Sequence, residues 1–197
     1  MISRVAEGCF WLTRYLERVD SLARTLSIHH GLHIDAVSAS TYRWHPLLRM
    51  IGGEPAYIER FGEASLADGE SIEDYIVWDP EEPASLAASI QAARENARTV
   101  REVMSLEAWE AINDLWLWMT SPQARRLYEG DRSAFYEHLE RSTVLFHGLS
   151  HATMLHDEPF SFMKLGRAVE RAAQTARNLD AHWQQDTGGE GVAADAA

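Results

Sequence analysis

Leu12-Thr13-Arg14-Tyr15-Leu16-Glu17-Arg18, continued by Ala23-Arg24, Leu26 and His29, returns as Leu165-Gly166-Arg167-Ala168-Val169-Glu170-Arg171, continued by Ala176-Arg177, Leu179 and His182. Every matched position is displaced by 153 residues, and the eight identities include three arginines and a glutamate. Composition alone rarely produces such a match, so the spacing predicts an internally repeated helix. At 3.6 residues per turn, Arg14, Glu17, Arg18 and Arg24 share one helical face while Leu12, Leu16, Val19, Ala23 and Leu26 share another. The same holds for Arg167, Glu170, Arg171 and Arg177. Two such helices are expected to pack near each other and to bring both Arg-x-x-Glu-Arg sets into one interior.

Outward from these segments, helical periodicity dominates and no alternating strand pattern appears. The pattern predicts an all-α, mainly antiparallel multi-helix bundle of about five long helices. The first runs from Ser3 to about His30, with Gly31 as its stop. Between His33 and Gly69 the reading is a loop-rich excursion, with short helices around 44–48 and 55–58 separated by Gly52-Gly53 and Gly62. A short helix over 72–78 ends at Asp79-Pro80, and a long one follows over 84–104. Ser105 restarts the chain as a helix to Met119, apolar on nearly every side through Trp109, Ile112, Leu115, Trp116 and Trp118, which places it in the middle of the bundle. Ser121-Pro122 and Gly130-Asp131 are stop-and-start signals. Two long helices, about 132–155 and 158–183, complete a domain over 3–184, with Asp157 as N-cap of the last. The glycine-rich, acidic stretch 185–197 has little to bury and is expected to be disordered.

The chain has 197 residues, is 46% hydrophobic and carries a formal charge of -12. That length supports one substantial core. The negative charge argues against a nucleic-acid partner, whose phosphates demand surplus basic residues. Among 18 basic residues only Lys164 is lysine, and arginine suits fixed, forked ion pairs. No apolar run is long enough to span a membrane. The single Cys9 allows no internal disulfide, and a cytoplasmic location is the expectation.

Several segments in order resemble the bacterial alpha-E domain family, an uncharacterised helical family. They are Ser3-Arg4-Val5-Ala6-Glu7, Trp11-Leu12-x-Arg14-Tyr15-Leu16-Glu17-Arg18, Trp44-x-Pro46-Leu47-Leu48, Ala93-Arg94-Glu95-Asn96-Ala97-Arg98, Trp109-Glu110-Ala111-Ile112-Asn113, and Ala152-Thr153-Met154 leading through Asp157-Glu158 to Leu165-Gly166-Arg167-x-x-Glu170-Arg171. The resemblance covers roughly 2–180. It implies a short or C-terminally truncated member, since the family continues with further helices. It also implies a setting beside circularly permuted ATP-grasp ligase-like and transglutaminase-like proteins, hence an amide-bond system as partner.

The candidate chemistry rests on the arginines. Guanidiniums held by glutamates in a partly dry groove form a ready site for carboxylate or phosphate; the same charges also make a structural network that locks helix register. Arg94, Glu95, Asn96 and Arg98 would join that network if their helix packs between the two repeated ones. The functional expectations are therefore a partner module with an anionic-ligand or partner groove, an enzyme acting on a carboxylate or phosphorylated intermediate there, or a purely structural interaction protein. His29/His33 and His147/His151 have i,i+4 spacing but no completed ligand set, so neither metal nor cofactor is expected. Cys9 reads as a buried, inert thiol. The apolar stripe of the last helix, Phe162, Leu165, Val169, Ala176 and Leu179, is expected to lack cover and to favour self-association or a partner.

Overall fold

A computed structural model describes residues 3–35 and 41–193, with side chains of 32–43, 182 and 184–193 excepted. Its helices are α1 (Ser3–Asp35), α2 (Thr41–Ile51), α3 (Glu54–Phe61), α4 (Gly69–Trp78), α5 (Leu86–Thr99), α6 (Leu106–Met119), α7 (Pro122–Gly130), α8 (Arg132–Thr153) and α9 (Glu158–Ala193), with 3₁₀ turns at Glu63–Ala67 and Arg101–Val103. No strand occurs among the described residues, so the chain is all-α as its periodicity predicts.

Four helix starts follow one device. Ser85, Ser105, Ser121 and Asp131 are N-caps whose side-chain oxygens accept from the backbone N–H three residues on, at Ala88, Ala108, Ala124 and Ala134. Each cap satisfies a donor that the first helical turn leaves orphaned.

α1 is the centre of the bundle: α5, α8 and α9 all pack on it, and α6 lies outside against α5 and α8. Asp20 meets Thr143 and Arg24 meets Glu140, so α1 and α8 run antiparallel. Against α9 the partner numbers climb together, from Phe10 and Thr13 near 163–166 to Glu17 and Arg18 near 167–171, so α1 and α9 are parallel neighbours. Two glycines permit the close approaches. A Cβ on Gly8 would lie 2.5 Å from Val100 Cγ1 of the α5 end, and one on Gly166 would run into the Phe10 carbonyl oxygen of α1.

Several boundaries differ from the sequence reading. Gly31 does not stop α1, which runs on to Asp35; positive φ occurs only at Gly52 and Gly62 among the described glycines, so Gly31 stays helical at the ~1 kcal/mol that glycine costs inside a helix. The helix expected over 84–104 begins at Leu86 and ends at Thr99, because Val100 turns out of helical geometry (φ -113°, ψ 20°). α6 is not central. Leu106 and Leu117 are 55% and 50% exposed while Ala108, Ile112, Leu115 and Met119 face inward. The excursion over 33–69 is more helical than read, holding α2 and α3. α9 is longer than the 158–183 expected, running from Glu158 to Ala193.

Candidate functional site, two reciprocal arginine–glutamate clamps

The parallel packing of α1 on α9 sets the two Arg-x-x-Glu-Arg faces against each other, and each glutamate enters between two arginines of the opposite helix. Glu170 accepts from Arg14 Nε at Oε2 (2.8 Å) and from Arg18 Nε at Oε1 (2.9 Å), with Arg14 Nη2 at 2.6 Å from Oε2. Glu17 accepts from Arg167 Nε at Oε2 (3.0 Å) and from Arg171 Nε at Oε1 (2.6 Å). The oxygens are used in the same order in both clamps. Below them, the Thr13 hydroxyl donates to the Met163 carbonyl at 2.7 Å. Gly166, the position equivalent to Thr13, has no Cβ and admits the α1 backbone.

Glu17 and Glu170 are 3% and 0% exposed. A buried carboxylate is costly unless paired and hydrogen-bonded, and here both oxygens are. Burial pushes the Glu170 carboxyl upward, but the hydrogen bonds and charges of Arg18 and Arg14, with a 2.9 Å bond from Gln174 Nε2, outweigh it and hold the group below the usual carboxylate value. An ionised, fully bonded carboxylate is a poor general base, and guanidiniums committed through Nε to a protein carboxylate have lost much of their capacity to grip a ligand.

The flanks differ. Arg14 lies over Trp11 (4.9 Å) and Phe10 (5.7 Å), and Arg18 over Tyr15 (5.5 Å). Beside the Glu17 clamp stands His147, whose Nε2 is 4.0 Å from Glu17 Oε2, too far for a hydrogen bond. Burial, then the nearby Arg167 charge, with Arg171 adding and Asp20 opposing, draws this imidazole down to about 3, so it is neutral despite the carboxylate.

Of the residues singled out from sequence, Arg14, Glu17, Arg18, Arg167, Glu170 and Arg171 are brought together; the others are not. Arg24 turns to Asp20 through Nε (3.0 Å) and to Glu140 of α8 (3.0 Å). Arg177 is exposed, outside the clamps. Arg94 donates to Asn113 at 3.0 Å and stacks on Trp116 at 4.1 Å. Glu95 pairs with Arg94 and Arg98, and Asn96 donates to the Ala92 carbonyl. α5 lies against α1 rather than between α1 and α9, so this group forms a separate junction with α6.

Sequence reading missed a second buried polar cluster. Glu73 of α4 accepts from the Tyr136 hydroxyl at 2.6 Å and faces Arg132 at 2.9 Å. That pair lacks the alignment of a hydrogen bond, since Arg132 Nε has no acceptor in line. Tyr128, 1% exposed, lies under Arg132 at 4.6 Å. The available signal was Glu73 itself, a charge inside the apolar run Ile72, Tyr75, Ile76. Cys9 is fully buried, and burial followed by the Asp157 charge pushes its thiol up to about 11. Among the described residues no three His, Cys, Asp or Glu side chains gather as a metal site, and no helix is long and apolar enough to cross a membrane.

The class so defined is a helical bundle cross-linked by paired arginine–glutamate clamps. The chain belongs to the Alpha-E family, described as a predicted alpha-helical domain with a conserved ER motif, whose profile matches residues 1–196. Of its Glu-Arg dipeptides, Glu17-Arg18 and Glu170-Arg171 build the clamps, whereas Arg60 pairs with Asp79 and Arg141 with Glu137. The chain is 27% identical over 184 residues to an uncharacterized protein of Mycobacterium bovis, covering 85% of this chain and 21% of that relative. Uncharacterized proteins of two Mycobacterium tuberculosis strains match over the same length at 27% and 26% identity, with the same coverage. The chain thus spans about a fifth of the length of these curated relatives. No solved structure matches.

Proposed function

We propose that this chain is a non-catalytic helical interaction module, cytoplasmic, and that α1 and α9 are two copies of one structural unit held in register by the clamps. The observation that carries the reading is the saturation of Glu17 and Glu170: each carboxylate takes both its oxygens to two guanidiniums of the opposite helix, which leaves neither partner set free for proton transfer. Buried ion pairs of this kind serve register and specificity. The family resemblance supports ATP-grasp-like ligases and transglutaminase-like proteins as the partners. Mixing the full chain with such a ligase, ATP and amino acids is the test. Stable binding, with turnover depending only on the ligase, is the expected result; ATP consumption or amide cleavage by this chain alone overturns it.

A second reading has one specific observation in its favour. The Arg167 and Arg171 side chains are 40% and 57% exposed, so their outer N–H edges remain open to a carboxylate or phosphate. Inorganic phosphate titrated against the chain and its Arg171→Ala variant distinguishes this: binding lost in the variant supports an anion groove, and no binding to either leaves the module reading alone.

A further inference from the structure

α1 and α9 carry the same apolar stripe at the same offset, yet they meet different surroundings. On α1 the stripe of Leu12, Leu16, Val19, Ala23 and Leu26 is completely buried, in the helix that α5 and the antiparallel α8 pack against. On α9 the equivalents Leu165, Val169 and Leu179 are 50%, 38% and 66% exposed. Ala172 and Ala176 between them are exposed as well. α9 packs on α1 and touches α2, and both contacts leave this face outward. A continuous apolar strip of four turns is more than scattered surface hydrophobes and marks an association surface.

The covered helix indicates what the uncovered one accepts. Beside its stripe, Arg24 of α1 reaches Glu140 of α8 at 3.0 Å; the equivalent Arg177 lies exposed beside the α9 stripe, with Lys164 and Arg171 along the other edge. Asp180 is exposed on the Arg177 side and Arg171 is paired with Glu17, so Arg177 on one side and Lys164 on the other are the cations that flank the stripe. A second copy is a poor occupant, because an antiparallel pairing of two α9 faces sets the Lys164–Arg171 edge of one against the same edge of the other, and a second copy's α5 and α8 already cover its own α1.

We propose that the outer face of α9 docks two amphipathic helices of another polypeptide, both running antiparallel to α9 and so parallel to each other, seated as α5 and α8 sit on α1, with a carboxylate opposite Arg177. This rests on the interaction-module reading and names the surface and the partner chemistry. The stripe supplies the apolar contact, as in helix-in-groove recognition, and Arg177 and Lys164 at its borders favour a partner with acids at the matching positions.

The test replaces Leu165 or Leu179 of the full chain with the photocrosslinking residue p-benzoylphenylalanine, irradiates the producing cells, and sequences the adducts by mass spectrometry. Leu117, on α6 and 50% exposed, is the control position. Both α9 positions are expected to link to one polypeptide, at two segments of helical apolar period that both run antiparallel to α9 and carry Asp or Glu. Arg177→Glu is expected to lower the yield at least about tenfold through like-charge repulsion, and reversing the partner's acid to arginine to restore it. Adducts only with a second copy, no adduct above the Leu117 control, linked peptides without that period, or a yield indifferent to Arg177→Glu each overturn the proposal. A chain that binds a partner without linking through α9 loses this surface alone, whereas a chain that turns over substrate by itself loses the module reading.

Discussion

The clamp on Glu170 and the clamp on Glu17 are built from the same residues at the same spacing, but one is dry and the other is half open. Arg14 and Arg18 are 18% and 15% exposed, against 40% and 57% for Arg167 and Arg171. The cause lies one turn away. Phe10, Trp11 and Tyr15 lay rings against Arg14 and Arg18, while Met163, Lys164 and Ala168 stand at the equivalent positions of α9. The same hydrogen-bonding pattern therefore sits in two dielectric environments, and a charge pair is worth most, and is most costly to break, where water is excluded.

Removing one glutamate at a time tests that difference most severely. Glu170→Ala strands Arg14 and Arg18 in the drier half and is expected to cost ~3–5 kcal/mol, roughly 6–20 °C in melting temperature for a chain of this size. Glu17→Ala leaves arginines that water reaches and is expected to cost less, about 2 kcal/mol. Equal losses in urea denaturation would break the comparison.

Gly166→Ala comes next, at ~1–3 kcal/mol, because the new methyl meets backbone that cannot turn aside. Gly148→Ala on α8 meets open space and is expected to stabilise by roughly 0.4–1 kcal/mol. The same sign for both in calorimetric melts would show that the α1–α9 approach is not tight.

Acid separates the two clamps by pH. His147 is neutral in the folded protein, with its value near 3 against 6.5 unfolded, so below 6.5 the unfolded chain binds the extra proton. Stability is whole above 6.5 and falls with pH by at most ~1.4 kcal/mol per unit. Glu170 has a depressed value, so its contribution is present above 4.5 and is lost only as pH falls through its lower folded value. His147→Gln is therefore expected to flatten the stability curve between 6.5 and 4.5, with a remainder from His138, which burial also lowers. An unchanged slope would remove His147 from the Glu17 side of the comparison. The smallest effect is the baseline: Glu81→Ala, at a side chain 78% exposed, is expected to stay within about 0.5 kcal/mol, measured beside the clamp variants.

Much of this is legible in the sequence. Ser105, Ser121-Pro122 and Gly130-Asp131 mark helix starts through local hydrogen bonding, which depends only on neighbours in sequence. The six clamp residues were legible because the pattern occurs twice. Arg24 and Arg177 join them on spacing alone and Arg94 only on the condition that its helix packs between the two, and spacing does not say which helix lies opposite. Glu73 and Tyr136, 63 positions apart, lacked even that signal, since a lone acid in an apolar run has no partner visible along the chain.

What the sequence by itself determined is the all-α class, the amphipathic division of α1 and α9, and the matched Arg-x-x-Glu-Arg faces, all of which follow from the period of one helix. Only the tertiary structure decided that the two helices run parallel, that each glutamate enters the opposite helix's pair of arginines, that α1 and not α6 occupies the centre, and that the matching apolar stripe is covered on α1 and bare on α9. Those outcomes depend on what each face meets across space, and burial, which sets the strength of every charge pair, is a property of the assembled fold rather than of any segment.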